Sequence, residues 1–211
     1  MDEPVGLRER KKARTRAAIS EAAIRLFLQR GYDAVSVVEI AAEAEVSKRT
    51  LFAYFPTKEE LVLHRFADHG GEPARVVHGR GPGEAPLAAL RRQRIERLRA
   101  RDPITGLCDI APVVEFYRLI MGTPSLSAAL VGYLRRDEES LAAALREAVP
   151  DAGPLAARLA AVQIVGVLQA LADHNQTRIV DGASADDIAD DALADTELAF
   201  AQLGCGMTAY A

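Results

Sequence analysis

Ser36-Val37-Val38-Glu39-Ile40-Ala41-Ala42-Glu43-Ala44-Glu45-Val46-Ser47-Lys48-Arg49-Thr50-Leu51-Phe52-Ala53-Tyr54-Phe55-Pro56-Thr57-Lys58 is the stretch whose reading decides the fold. Ser36 stands three residues before Glu39, and Thr57 three before Glu60. Each pair has the spacing of a capping box, in which a hydroxyl and a carboxylate satisfy the free N–H groups of a helix start. Ile40, Ala41 and Ala44 give the first helix a small apolar face. Val46-Ser47 makes a turn, and the Ser47 hydroxyl caps a second helix from about Lys48 to Phe55, which Pro56 ends. Leu51 and Phe55, four apart, share one face and turn to the core, whereas Lys48, Arg49, Phe52 and Tyr54 occupy the remaining sides. Phe55 reads as core and Tyr54 as surface, with Phe52 open between the two. Two short capped helices joined this tightly form a helix-turn-helix.

Upstream, Ile19, Ala22, Ala23, Leu26 and Phe27 repeat at the spacing of an amphipathic supporting helix, which Gly31 can end in a left-handed conformation. Before it, residues 8–16 hold six Lys and Arg against one Glu, a net charge of +5. Such a run alone reads as a solvated helix start or a tail. Beside a helix-turn-helix it reads as a basic arm for phosphates, because backbone contacts add affinity without a sequence requirement of their own.

These residues resemble the TetR family of bacterial transcriptional regulators. The likeness runs from Arg16, Ile19, Ala22, Ala23, Leu26, Phe27, Gly31 and Tyr32 through Ser36, Val37, Ile40, Ala41, Ala44, Val46 and Ser47. It continues through Thr50, Leu51, Phe52, Tyr54, Phe55, Lys58, Glu59 and Leu61, and so covers roughly the first quarter of the chain. The resemblance implies that Thr50, Tyr54 and Lys58 contact DNA phosphates and that Lys48 and Arg49 sit where base edges are read. It also implies that Val37 and Val38 begin a helix beside the groove, and that Arg14, Arg16, Ser36 and Phe52 complete the DNA-binding set. Chemically, Lys and Arg donate to guanine O6 and N7, hydroxyls donate to phosphate oxygens, and valines at 37 and 38 can meet a thymine methyl. The partner expected is a double-stranded operator.

Composition fits a soluble regulator. With 211 residues, 49% of them hydrophobic, the chain can bury one or two cores, and no unbroken apolar run approaches the roughly 20 residues of a membrane span. No secretory signal is visible, so the expected location is cytoplasmic, with no membrane partner. The formal charge of −4 divides unevenly: residues 1–60 carry 11 Lys and Arg against 10 Asp and Glu, leaving −5 on the remainder. Cys108 and Cys205, only two and far apart, are expected as thiols.

The fold class expected is all-α with about nine helices: a DNA-binding domain over 1–56, and a ligand-binding and dimerisation bundle over 57–211 entered through a connector helix. Gly70 to Pro86 reads as a mobile loop. Asp102-Pro103, Thr123-Pro124 and Gly153-Pro154 read as helix starts, with Ser184 to Asp187 opening the last helix. In 154–180 the small residues Ala156, Ala157, Ala160, Ala161, Gly166, Ala170 and Ala172 suit close helix approach. Ile188, Ala192, Ala199 and Leu203 form one arc of the last helix. Dimerisation through these two helices is expected, because a lone helix-turn-helix reads only a half-site.

In the helix from about Pro86 to Arg101, stepping about 100° per residue places Arg91 and Arg94 on the face of Leu87, Leu90, Ile95 and Leu98. Two inward arginines need anions. They would hold the carboxylate or phosphate of an acyl or acyl-coenzyme-A type effector, or else pair internally with an acid such as Glu115 or snorkel. Phe116, Tyr117, Ile120, Gln163 and His174 complete the candidate ligand set. No phosphate loop, nucleophile elbow or Cys-His pair appears, and His64, His69, His78 and His174 lack metal spacing, so no enzyme activity, cofactor or metal is expected. The expected function is a homodimeric repressor released from a pseudo-palindromic operator by a small molecule, with activation as the alternative sign of control.

Overall fold

Caps, proline-led first turns and buried apolar faces give ten α-helices and three single 3-10 turns among the described residues, with no strand. The structure is a computed structural model and describes residues 6–211, without the side chains of residues 7, 8 and 66–68. The expected packing of Phe66 therefore lies outside the described residues. The helices are α1 Leu7–Arg30, α2 Val37–Glu43, α3 Lys48–Tyr54, α4 Glu60–His69 and α5 Glu72–His78. They continue with α6 Pro86–Arg99, α7 Ala111–Met121, α8 Pro124–Ala148, α9 Pro154–Val180 and α10 Ala189–Gly206. The chain forms two compact units, Met1–Asp68 with Glu115–Leu130, and His69–Val114 with Val131–Ala211.

In the first unit the apolar face of α1 behaves as its spacing requires, with Ile19, Ala22, Ala23 and Phe27 buried together with Ile24. The basic run described from Glu9 onward is the exposed first half of this helix. Gly31 ends α1 through its N–H on the Phe27 carbonyl (2.8 Å). Its φ of +85° is positive as expected, but ψ of 151° is not that of a left-handed helix.

The second unit buries one core among Val77, Leu87, Leu90, Leu141, Leu145, Ile164, Phe200 and Leu203, and a second among Leu98, Leu107, Val114, Ile179, Ile188 and Ala192. The segment from Gly70 to Pro86 is not simply a loop. It carries α5, because Gly71 takes φ +69° at the cap, Pro73 suits the first turn, and Ala74 and Val77 are buried. Asp137 accepts the Gly71 N–H at 2.7 Å and fixes this start.

Asp102-Pro103 opens only a 3-10 turn, Pro103–Thr105, stopped by Gly106 at φ +74°. Ser184 and Asp187 do exchange hydrogen bonds, but α10 begins only at Ala189. The small residues of α9 also divide: Ala157, Ala160 and Ala161 are internal core, whereas Gly166 and Ala170 are exposed. The arc of Ile188, Ala192 and Leu203 is likewise buried within its own chain, with Ala199 partly buried, and is therefore not an association surface.

The turn after Pro103 is where backbone meets backbone. A Cβ on Gly106 would run into the Ala172 carbonyl oxygen of α9 and would also require a positive φ. Gly106→Ala is expected to cost about 3 kcal/mol or more from overpacking and left-handed strain together. A lower urea midpoint at unchanged slope would show it, and an unaltered midpoint would contradict the close approach.

Candidate nucleic-acid interface

The helix-turn-helix is built from hydrogen bonds that its own sequence supplies. Ser36 makes both halves of a capping box with Glu39: the Glu39 N–H donates to the Ser36 hydroxyl at 3.3 Å and the Ser36 N–H to the Glu39 carboxylate at 2.8 Å. The Ser47 hydroxyl accepts from the Thr50 N–H at 3.0 Å and caps α3. Between the helices Glu45 takes φ +52°, a left-handed conformation that Gly or Asn adopts more readily. No residue type in the turn announces this, which is why the sequence reading did not single it out. Arg25 pairs with Glu43 (2.6 Å) and Arg30 with Glu39 (2.8 Å), tying α1 to α2.

The recognition helix α3 has two faces. Leu51 and its cap residue Phe55 are fully buried. Phe55 lies between the Arg16 guanidinium, 5.1 Å from its ring centre, and the His64 ring, 5.3 Å away and nearly edge-on. The Ser20 hydroxyl donates to the Leu61 carbonyl (2.8 Å), so at its 3.1 Å contact with His64 Nδ1 it accepts, and Nδ1 carries the proton. On the opposite face Lys48, Arg49, Phe52 and Ala53 are exposed, with Thr50 and Tyr54 half-buried. Whereas Arg25 and Arg30 are ion-paired, Lys48 and Arg49 have no acidic partner among the described residues. Phe52 is 38% exposed and the Lys48 ammonium hangs 5.9 Å from its ring centre.

Of the other residues expected to meet DNA, Arg14, Arg16 and Ser36 are exposed and Val37 is half-buried. Val38 is more open than Val37, at 57%. Lys58 is the exception. Its ammonium donates to the Tyr32 carbonyl at 2.6 Å and sits 4.2 Å from the Tyr32 ring centre, so it is engaged within its own unit. Tyr32 in turn donates to Glu59 at 3.0 Å. Its phenol is pushed well above the ordinary tyrosine range, first by burial and then by that carboxylate.

The candidate ligand residues scatter. Arg94 is buried, as helical stepping requires, and its Nη2 donates to the Thr105 carbonyl at 3.2 Å, which Asn175 also reaches at 3.0 Å. Arg91 instead emerges at the helix edge, its guanidinium held by Glu197 at 2.6 and 2.5 Å, while Glu115 is exposed and not its partner. The long arginine stem lets a residue near the apolar face carry its charge out to solvent.

Gln163 and His174 lie on the exposed side of α9, because the buried side is taken by Ile164, Asn175 and Gln176. His174 faces Asp195 of α10 at 3.7 Å. Phe116 and Ile120 are buried in the first unit, with Tyr117 half-buried against Phe116. Two surface cavities of the second unit contain none of these residues. One, of about 610 Å³, lies among Arg135, Glu138, Arg146 and Arg158, and the other, of about 290 Å³, among Glu72, Arg75, Arg92 and Gln93.

A helix-turn-helix with unpaired cations on its outer face, in an all-helical chain, defines the architecture of a bacterial DNA-binding regulator. The family model "Bacterial regulatory proteins, tetR family" matches residues 19–64. The regulator TcmR of Streptomyces glaucescens is 38% identical over 135 residues, 64% of this chain and 58% of that protein. RutR of Escherichia coli is 31% identical over 140 residues, 64% of this chain and 63% of its own. Among solved structures, NalD of Pseudomonas aeruginosa, the secondary repressor of the MexAB-OprM multidrug efflux pump, superposes with a TM-score of 0.57 at 20% identity. That match covers 89% of this chain and 97% of NalD. A TetR-family regulator of Streptomyces coelicolor gives 0.53 at 20% identity over 95% and 99%. Residues 19–64 carry the likeness to TetR-family regulators, and the chain spans less than two thirds of the length of TcmR and of RutR. Both of these sequence relatives are transcriptional regulators.

The Ser36 backbone N–H, helped by the Ser36 hydroxyl and the Arg30 guanidinium, holds the Glu39 carboxyl down from 4.5 to about 2. Because the folded value is depressed, the stabilisation is complete above pH 4.5 and is lost as pH falls through about 2. Glu39→Gln is expected to remove one proton's worth of that acid dependence. Urea titrations across this window would measure it, and an identical acid slope in wild type and variant would contradict it.

Proposed function

We propose that this protein is a homodimeric operator-binding repressor whose C-terminal unit responds to a small molecule. The observation that carries the DNA reading is the outer face of α3, where Lys48 and Arg49 stand exposed without an acidic partner beside the cationic first half of α1. Cations left open on a helix of this geometry suit guanine edges and phosphates. Thr50 and Tyr54 contribute hydroxyls at its flanks, and Arg14 and Arg16 extend the charge along α1. Lys58 joins the phosphate set by exchanging the Tyr32 carbonyl for a phosphate oxygen.

Dimerisation is supported by α9. Leu155, Leu159 and Val162, spaced four and three apart, are 68%, 52% and 43% exposed, and Gly166 and Ala170 continue the same exposed side. By length and composition α9 could cross a bilayer. Its other side, however, is built into the bundle core and carries Asn175 and Gln176, so a second copy in the cytoplasm is the better cover. Leu198 of α10 is also exposed. Two-fold pairing would set two recognition helices about 34 to 36 Å apart over a pseudo-palindrome.

The chain crosses between its two units within α7, within α8 and, first, within α4, the connector, at Asp68 and His69. A ligand with different affinity for two dispositions of the reading heads would therefore control operator affinity through this helix. An effector with an anionic or acyl group remains the proposal, with the buried Arg94 as its candidate cation.

Fragments of the source genome enriched on the purified protein would test the reading. Binding is expected to weaken steeply with added salt, and Arg49→Ala to lose about 10- to 100-fold in affinity for the selected operator. Equal retention of all fragments would overturn it. Leu159→Glu is expected to yield monomers in analytical ultracentrifugation and to abolish tight operator binding. A dimer persisting in that variant would move the interface elsewhere.

A further inference from the structure

The second unit gathers charged side chains of both signs around one groove and pairs none of them. Arg135, Glu138, Glu139 and Arg146 of α8 and Arg158 of α9 line the larger surface cavity, of about 610 Å³. Elsewhere in this unit Arg91, Arg92, Arg97, Arg101 and Arg178 are each held by a carboxylate. The five groove residues have no ion-pair partner among the described residues. Spacing is not the reason. Arg135 and Glu139 stand four apart on α8, as do Arg92 and Glu96 on α6, which meet at 3.4 Å.

The charges are also sorted along the groove. Arg146 lies just before the end of α8 and Arg158 just after the start of α9, each within about 6 Å, along its axis, of the turn between them. Glu147, next to Arg146, is outside the lining and bonded to His78 at 3.0 Å. This end therefore presents two cations and no acid. Glu138 and Glu139 stand about 10 to 12 Å further back along α8, with Arg135 beyond them, so acids outnumber cations there. Between the two ends the walls are apolar, from Ala142 and Ala143 of α8 and Val162 of α9. Like charges gathered at each end repel, and a bound group of opposite sign offsets that repulsion. We propose that this groove binds an elongated amphoteric small molecule. Its carboxylate lies on the Arg146 and Arg158 guanidinia, which suit a planar anion, and its ammonium on Glu138 and Glu139. An apolar chain joins the two along Ala142, Ala143 and Val162, in a volume ordinary for a small-molecule site. The site is separate from the buried Arg94 and rests on neither the operator nor the effector reading above.

The probes are ω-aminohexanoate, ω-aminooctanoate and ω-aminodecanoate, titrated calorimetrically into the full chain at low salt, with octanoate and octylamine as molecules that match one end only. Saturable binding is expected, tightest for the chain whose extended length fits the spacing of the two ends. Removal of either terminal charge from the probe is expected to weaken it about fivefold, the upper range for one exposed charge pair. Arg146→Ala would weaken the carboxylate-bearing probes by a similar factor and spare octylamine. Glu139→Gln would weaken the amine-bearing probes and spare octanoate. Both positions are at the surface, and an unchanged circular dichroism melt would confirm that each variant is folded. The inference is overturned if none of the three ω-amino acids binds, or if octanoate and octylamine bind as tightly as they do. It is also overturned if both variants bind every probe as the wild type does. Any of these results leaves the operator reading standing, because no groove residue belongs to the helix-turn-helix.

Discussion

The burial of Phe55 and Leu51 is the constraint on which the recognition surface depends. A seven-residue helix has too few internal hydrogen bonds to hold itself in water, so its existence and its orientation must come from packing and from its cap. Phe55, wholly excluded from solvent between the Arg16 guanidinium and the His64 ring, fixes how α3 is rotated. Once that rotation is set, Lys48, Arg49 and Phe52 have no direction left but outward. Arg16 therefore has two consequences: its charge belongs to the basic side of α1, and its planar group covers one face of the aromatic that orients the reading helix.

The same economy appears in the turn and at the start of α4. Glu45 accepts a left-handed backbone so that α3 can leave α2 at the required angle, and Ser47 offsets that strain by capping the helix that follows. Lys58 is held by the Tyr32 carbonyl and by two aromatic rings, Tyr32 and Phe27, which couples the end of α1 to the approach to α4. A lysine poised on a carbonyl can be transferred to a phosphate with little change in its own geometry. The neighbouring Tyr32 and Glu59, bonded to each other, make the site polar.

The second unit follows a different logic. Its helices bury large aliphatic side chains internally and leave a separate apolar side of α9 open, with Leu155, Leu159 and Val162 outermost. Within it the buried polar groups of Arg94, Thr105 and Asn175 meet where Gly106 lets the backbone touch α9, an arrangement that only a residue without a side chain permits there.

Much of the DNA-binding half was legible in the residues themselves. The Ser36–Glu39 box, the Ser47 cap, the Leu51–Phe55 face and the α1 periodicity are local signals, since each rests on groups within about one or two helical turns of one another. The helix over Glu72–His78, the exposed positions of Gln163 and His174, the outward swing of Arg91 and the internal hold on Lys58 were not legible. Each depends on a partner remote in sequence: Asp137 for α5, Glu197 for Arg91, Tyr32 for Lys58, and the core of the second unit for the side of α9 that faces inward. Sequence by itself determined that this chain is helical, where its reading helix starts and stops, and which residues line that helix. Only the tertiary structure decided that Phe52 faces water, that Tyr54 is half-buried and which side of α9 stays open, because burial is a property of neighbours brought together from distant parts of the chain.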